Sequence, residues 1–183
     1  MSQNVFALHP RGHDQVVDGP MVDGWLVELG LAGPSRLGPR FAVWLRCGEL
    51  TAGQIQAAID RPDGSPLANT FTTRWEPTTT HAEPVVRVGC ETATPLCPCG
   101  ALTTDDWPDL LDRWWHDRHH RWVCACGRTT PVPSLDFQHT LGFARAFVEL
   151  PHGLAPDLRP TSTLLAELAR RSGMPWTWTW VRR

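Results

Sequence analysis

The sequence of 183 residues contains no lysine and no tyrosine, and its only isoleucines are Ile55 and Ile59. All 17 of its lysine and arginine residues are therefore arginines. Alanine, proline and glycine are also abundant. This composition is typical of a GC-rich genome, so the richness in arginine does not by itself indicate a binding function. Without lysine the chain also lacks the Walker loop that a nucleotide-hydrolysing transporter subunit needs.

Other absences concern membranes, export and enzyme motifs. No run of about 18 apolar residues exists, and residues 1–15 lack the charged start and long apolar core of a signal peptide. We therefore expect a cytoplasmic protein with no membrane partner. The formal net charge of -2 gives no overall field that would attract nucleic acid. The sequence has neither a G-x-S-x-G elbow nor a dinucleotide-binding glycine motif, and we predict no catalytic residues.

Two similar stretches, one near each end of the chain, indicate the architecture. VFALHPRG (5–12) and AFVELPHG (146–153) share phenylalanine, proline and glycine at matching positions. Each is followed by a loop, a capped amphipathic helix, a glycine and a strand that carries tryptophan. Two strand–helix–strand units of this length predict an α+β, ferredoxin-like antiparallel sheet with two helices on one face. A chance likeness between two such short segments is the alternative.

Local signals give the elements of the first unit. NVFALHP (4–10) is predicted to be a strand, and the helix after it starts at Asp18 and Pro20 and ends near Gly33. RFAVWLRCG (40–48) alternates in the manner of a strand with at least one buried face.

The second unit has clearer signals. FARAFVELP (143–151) is predicted to be a strand, Thr161 caps the helix that follows, and Gly173 ends it. The last strand, PWTWTWVRR (175–183), places its tryptophans on one face: Trp176, Trp178 and Trp180.

The region between the units contains the remaining signals. The turn DRPDGSP predicts a hairpin over residues 53–75, and EPVVRVGCE (83–91) is predicted to be a strand. At this length and composition we expect a single α+β domain, 1–183, with a zinc-ribbon-like insert at 93–130.

The strongest local pattern is a repeated Cys-x-Cys-Gly. The motifs are CPCG (97–100) and CACG (124–127), with 24 residues between Cys99 and Cys124, and the glycine that ends each turn frees the backbone to curl its N–H groups toward thiolate sulfurs. Together the turns supply the four sulfurs that structural zinc prefers: Cys97, Cys99, Cys124 and Cys126.

Four protein ligands leave zinc no open position for water, so the predicted Zn2+ is structural rather than catalytic. A redox role for the thiol pairs is one alternative, and simple buried thiols are another. The two remaining cysteines, Cys47 and Cys90, are predicted to be small buried side chains, with Cys90 near enough in sequence to act as a spare ligand.

The stretch between the cysteine pairs, DDWPDLLDRWWHDRHHRW (105–122), suggests two further functions. On a helix Asp112, His116 and His120 share a face, where they could serve a second, catalytic metal, and the sequence does not assign a role to the neighbouring His119. The simpler interpretation is a solvated helical face, since no HExxH arrangement is present. The histidines His9, His13 and His152 follow the two similar strands and would meet at one edge of the sheet, although such loop histidines are usually exposed.

Arginines interleaved with tryptophan also fit the binding of single-stranded nucleic acid: Arg113, Arg118, Arg121 and Arg128 lie among Trp114, Trp115 and Trp122. Five aspartates cancel these charges locally, namely Asp105, Asp106, Asp109, Asp112 and Asp117. The alternative is that the tryptophans pack the ribbon against the sheet.

The whole pattern resembles a family of uncharacterised bacterial proteins that carry a zinc ribbon and are often misnamed "sugar ABC transporter ATPase". The similarity runs from GPRFAVWLRCG through the paired cysteine turns to LGFARAFVEL, RPTSTLLAEL and SGMPWTWTWV. In that family the turns usually have the longer Cys-x-x-Cys form, whereas this chain has Cys-x-Cys. The resemblance implies a small zinc-ribbon-bearing domain and supplies no reaction.

These observations favour a zinc-stabilised protein-interaction module, an adaptor or accessory protein whose partner is another protein. A nucleic-acid-binding regulator that uses the Arg/Trp-rich ribbon is the first alternative. A histidine-based metal enzyme or a thiol redox switch is the other.

Overall fold

Four long strands among the described residues form one antiparallel sheet. The computed structural model describes residues 4–29, 59–60, 78–89, 91–103, 105–151 and 159–182. Its strands are β1 Asn4–Pro10, β2 Ile59–Asp60, β3 Thr79–Val88, β4 Arg121–Val123, β5 Thr129–Pro131, β6 Leu141–Pro151, β7 Arg159–Pro160 and β8 Trp176–Arg182. The order in the four-stranded sheet is β3-β6-β1-β8, and every neighbouring pair is antiparallel. Two-stranded sheets join β2 to β7 and β4 to β5.

The part of the chain with assigned structure also contains three α-helices, which confirms the α+β class. These helices are α1 Gly19–Glu28, α2 Trp107–His116 and α3 Ser162–Ser172, and a short 3-10 turn spans Val132–Ser134. None of the helices within these ranges is long and apolar enough to cross a membrane.

The two similar segments of the sequence lie side by side at the centre of the sheet. β1 and β6 pair so that Val5 is opposite Pro151 and Leu8 is opposite Val148. β1 also pairs along its length with β8, with Phe6 opposite Trp180. The first and last strands of the chain therefore become neighbours, and β1 is enclosed on both sides.

One core lies between the sheet and the helices α1 and α3. Alternate residues of β1 enter it, and Leu26 of α1 and Leu168 of α3 are almost fully buried in the same cluster as Phe6 and Leu8. Ala7 belongs to a different cluster with Phe147. Both faces of β1 are thus buried, which explains its nearly continuous apolar sequence.

The ends of α3 confirm the signals in its sequence. The Thr161 hydroxyl accepts a hydrogen bond from the Leu164 backbone N–H at 3.1 Å, and Gly173 ends the helix in the left-handed conformation, with φ +72°. Arg170 and Arg171 lie in the last turn, where cations are favoured by the helix dipole. At α1, Asp18 caps the start as predicted, whereas the predicted stop at Gly33 lies outside the described residues.

The tryptophans of β8 share one face, as predicted. Trp176 is buried in the cluster beneath the helices, and Trp178 and Trp180 pack against it. The ring of Phe6 lies 4.1 Å from that of Trp180 and 5.6 Å from that of Trp178, between centroids. Thr179 is on the opposite face and is also buried.

The strand predicted at 83–91 is present, but β3 starts earlier, at Thr79, and ends at Val88. Its pairing with β6 shifts register between Thr80 and Val85. The predicted strand at 40–48, with Cys47, lies outside the described residues, as does Cys90. Of the predicted hairpin at 53–75, only Ile59–Asp60 is described, and it pairs with Arg159–Pro160 of β7; the rest of that prediction lies outside the described residues.

Candidate metal centre formed by two cysteine turns

The two Cys-x-Cys-Gly segments have the same backbone structure. In the first, the Gly100 N–H donates to the Cys97 carbonyl at 2.7 Å and the Cys97 N–H donates to the Ala101 carbonyl at 2.8 Å. In the second, the Gly127 N–H donates to the Cys124 carbonyl at 2.9 Å, and the Cys124 N–H donates to the Arg128 carbonyl at the same distance. Each pair of cysteines therefore occupies a tight hairpin turn.

The backbone conformation at the end of each turn favours glycine. Gly100 has φ +88° and Gly127 has φ +81°, values that side chains with a Cβ rarely adopt. This is the conformational role that the sequence predicted for them. Because it reverses the chain after the second cysteine, both sulfurs of a turn project to the same side.

Secondary structure brings the turns together. The second turn connects β4 to β5, and the first is closed by an isolated bridge between Leu96 and Leu102. Leu96 also bridges to Asp136. The segment before Cys97 is thus tied to the chain that leads into β6.

The four cysteine sulfurs converge on one point. All four Sγ atoms lie within 4.8 Å of one another, and Cys99 Sγ is 3.7 Å from Cys124 Sγ. In an ideal tetrahedron of sulfurs about 2.3 Å from zinc, neighbouring sulfurs are about 3.8 Å apart. The spacing and the all-sulfur chemistry of this donor set therefore fit a zinc ion, and the short Cys-x-Cys spacing does not prevent it.

The inner and outer cysteines of each turn have different surroundings. Cys97 and Cys124 are buried, at 2% and 3% exposure, whereas Cys99 and Cys126 are exposed. The inner pair belongs to a second core cluster with Leu110, Trp114 and Trp122. A bound ion would accordingly lie at the boundary between this core and solvent.

The pKa values of two of these thiols are displaced in opposite directions. A hydrogen bond from the Ala101 backbone N–H, with help from the neighbouring thiols, lowers the pKa of Cys99 to about 7. For Cys124 the backbone N–H of Cys126 acts to lower the pKa, but burial and hydrogen bonds with the other thiols outweigh it and raise the pKa to about 12. Thiols this close together compete for protons. A bound metal cation displaces those protons, because cysteines bind metal ions as thiolates.

The histidines between the turns do not extend this centre. Helix α2 ends at His116, so His120 does not share a helical face with Asp112, and that prediction is wrong. The His116 Nδ1–H donates to the Asp112 carbonyl at 2.8 Å. The Asp117 carboxylate accepts from the His119 backbone N–H at 2.9 Å, in a turn that replaces the next helical turn. In the part of the chain that the structure describes, the side chains placed to hold a metal ion together are those of the four cysteines.

The tryptophans of residues 93–130, the cysteine module, differ in burial: Trp114 and Trp122 are buried, whereas Trp115 is exposed. Trp114 is 1% exposed, and its ring meets that of Phe143, on β6, edge to face with centroids 4.8 Å apart. Trp122 is buried in the same cluster, so these two rings hold the module against the sheet. Trp115 is 58% exposed, and the Arg118 guanidinium lies over both Trp114 and Trp115, at 3.9 and 4.5 Å from the ring centroids.

A cavity that the sequence did not reveal has Asp136, His9 and His139 among its lining residues. Of the three histidines expected to meet at a sheet edge, His9 is buried, His13 lies beside Asp14 at 2.9 Å, and His152 is outside the described residues. No sequence motif connects His9 to His139, because their proximity depends on strand pairing.

Comparisons with models of protein families, with curated proteins and with solved structures gave no match to this chain. The resemblance described above therefore stays a prediction, and function has to be inferred from the geometry of the cysteines.

Proposed function

We propose that residues 93–130 form a zinc-ribbon-like module in which Cys97, Cys99, Cys124 and Cys126 hold one structural Zn2+. The observation that supports this most strongly is the convergence of four sulfurs within 4.8 Å of one another. Zinc is the preferred metal for four thiolates in a tetrahedron, and a site filled by four protein ligands leaves no position for a reacting water. The ion stabilises a segment too small to build a large core of its own.

We further propose that the complete domain has a ferredoxin-like sheet, with the zinc module inserted before its third strand. Support comes from the order of the four long strands: taken along the chain as first, second, third and fourth, they lie in the order second, third, first, fourth. That is the antiparallel order of the βαββαβ arrangement. In this scheme β3, and not residues 40–48, is the second strand. Membership of the zinc-ribbon-bearing bacterial family is proposed on the same grounds.

The role we propose for the module is to bind another protein in the cytoplasm, as an adaptor or accessory domain. Large apolar side chains are exposed at three places within residues 93–130, namely Leu102 at 61%, Trp115 at 58% and Val123 at 64%. Val123 immediately precedes Cys124, so the ion that fixes the second turn would also fix the position of Val123. Exposed apolar and aromatic groups on a rigid support are typical of protein interfaces.

The charges of the module favour a protein partner over nucleic acid. Between residues 93 and 130 there are five aspartates and four arginines, so no cationic surplus exists to neutralise phosphates. Three of the arginines already have contacts within the chain. Arg113 pairs with Asp105 at 3.0 Å, Arg118 covers two indole rings, and Arg121 donates to the Thr129 carbonyl at 3.3 Å.

A matched pair of variants tests the interaction surface. Val123 and Val16 are equally exposed, at 64%, but Val16 lies far from the module in sequence, before α1. We expect Val123→Ser to reduce retention of a stoichiometric protein partner in pull-downs by roughly fivefold or more, the effect of losing about 1 kcal/mol of apolar contact. Val16→Ser should leave retention unchanged.

Equal retention by both variants, or the absence of any stoichiometric protein partner, would contradict the interaction role while leaving the zinc site intact. Capture of RNA or single-stranded DNA with a steep dependence on salt would favour the regulator instead.

A further inference from the structure

A polar cavity of about 520 Å³ lies where the end of β1 and the start of β8 meet residues 133–143. It is distinct from the cysteine centre and is not used by the proposed role of the module. Its volume is within the range of pockets that bind small molecules. The polar side chains that matter for recognition are Arg11, Asp136, His9, His139, Thr177 and Thr179.

The inner wall of the cavity is rigid and neutral. The His9 Nδ1–H donates to the Pro10 carbonyl at 3.0 Å, which leaves Nε2 to accept from the Thr179 hydroxyl at 3.1 Å. Burial lowers the pKa of His9 to about 4. A Cβ at Gly142 would lie 2.6 Å from His9 Nε2 and 2.3 Å from Thr179 Oγ1, so only glycine lets these groups meet.

A strained loop holds the second histidine at the cavity. Gln138 and His139 have φ of 52° and 63°, a left-handed pair without glycine. The His139 Nδ1–H donates to the Trp178 carbonyl at 2.9 Å, and its ring stacks on that of Trp178 at 4.2 Å with an interplanar angle of 2°. In its neutral form this ring presents Nε2 as an acceptor. Strain of this kind is concentrated at ligand sites, where surrounding contacts maintain it.

The side chains that line the cavity include one positive charge, on Arg11, and one negative charge, on Asp136. Arg11 is exposed, and among the described residues no carboxylate forms an ion pair with it. Asp136 uses Oδ1 to accept from the Gln138 backbone N–H at 2.7 Å, which leaves Oδ2 for another donor. The other polar lining groups are hydroxyls and imidazoles. A ligand with one anionic and one cationic group would match this lining without leaving a charge unpaired.

We infer that this cavity binds a small zwitterion of the aromatic α-amino-acid class. Arg11 would receive its carboxylate, Asp136 its ammonium group, and the stacked His139–Trp178 pair its aromatic side chain. His139 Nε2 and the Thr177 hydroxyl provide further polar contacts. The observation that distinguishes this ligand from a simple anion is that Asp136 lines the same cavity as Arg11.

The test combines three ligands with two conservative variants of the full, zinc-bound chain. The probes are L-phenylalanine, its amide, which lacks the carboxylate, and 3-phenylpropionate, which lacks the ammonium group. Saturation-transfer NMR titrations give their dissociation constants. For the wild type we expect L-phenylalanine to bind at least about tenfold more tightly than either analogue, the usual contribution of one charged hydrogen bond.

Two variants test which protein side chain binds each charged group of the ligand. Arg11→Gln should remove the preference for L-phenylalanine over its amide and keep the preference over 3-phenylpropionate, and Asp136→Asn should do the reverse. The side-chain amide oxygen introduced by Asp136→Asn can still accept from the Gln138 backbone N–H, so the loop should be retained. Arg128→Gln, which replaces an exposed arginine outside the cavity, should change none of the constants.

Three results would overturn the inference: no saturable binding of L-phenylalanine by about 10 mM, equal binding of all three probes, or constants that neither Arg11→Gln nor Asp136→Asn alters. Measurement of zinc content and of the unfolding temperature for each variant shows that a lost preference is not a lost fold.

Discussion

Replacing both buried cysteines, in a Cys97→Ser and Cys124→Ser double variant, is expected to remove about one zinc per chain and to destabilise the domain by several kcal/mol. Structural zinc contributes roughly 10–16 kcal/mol of apparent binding free energy in small zinc domains. Part of this is lost when two of four thiolates become hydroxyls, which are poor ligands for zinc. Mass spectrometry of the metal content and thermal unfolding followed by circular dichroism measure the two effects.

A second double variant separates the metal from packing. Cys99→Ser and Cys126→Ser alter exposed positions that contribute little to the core, whereas Cys97 and Cys124 are buried beside Trp114 and Trp122. If bound zinc stabilises the module, both double variants should lose the ion and should unfold at similar, lowered temperatures. A stability loss confined to the buried pair, with no zinc in the wild type, would show that the cysteines act as small core residues.

Trp114→Ala is the next largest effect that the structure predicts. The indole is 1% exposed and packs at the junction of the cysteine module with Phe143 of the sheet. Removing a buried tryptophan costs about 3–5 kcal/mol, because apolar contact is lost and a cavity remains. In a domain of this size that corresponds to a fall of roughly 6–20 °C in unfolding temperature.

Trp115→Ala is the matched control for this variant. Trp115 is the next residue of the same helix and lies under the same Arg118 guanidinium, but it is 58% exposed. We expect a cost of at most about 1 kcal/mol, as for most surface substitutions. If the two variants unfolded at the same temperature, the module would not be attached to the sheet through Trp114.

The features that could be predicted from sequence depend on neighbouring residues. The Cys-x-Cys-Gly turns need only a glycine after two cysteines, and α3 is bounded by Thr161 and Gly173 in the positions where such residues stabilise helix ends. The single aromatic face of β8 follows from the alternation of side chains along a strand. In each of these cases local chemistry and tertiary structure favour the same conformation.

The features that sequence did not predict depend mostly on residues far apart in the chain. The shift in register between β3 and β6 becomes visible only when the two strands are paired. His9 and His139 meet through strand pairing between opposite ends of the chain, which no motif records. Helix α2 is the local exception: it was expected to continue to His120, but Asp117 forms a turn that ends it, and no glycine or proline marks that point.

In the proposed zinc site, four sulfurs enclose a single ion with no vacant position. X-ray absorption at the zinc edge, on protein purified without added metal, tests it most directly. We predict about one zinc per chain with a first shell of four sulfurs at about 2.3 Å. A shell of fewer than four sulfurs completed by oxygen or nitrogen, or a folded protein without zinc, would contradict the account.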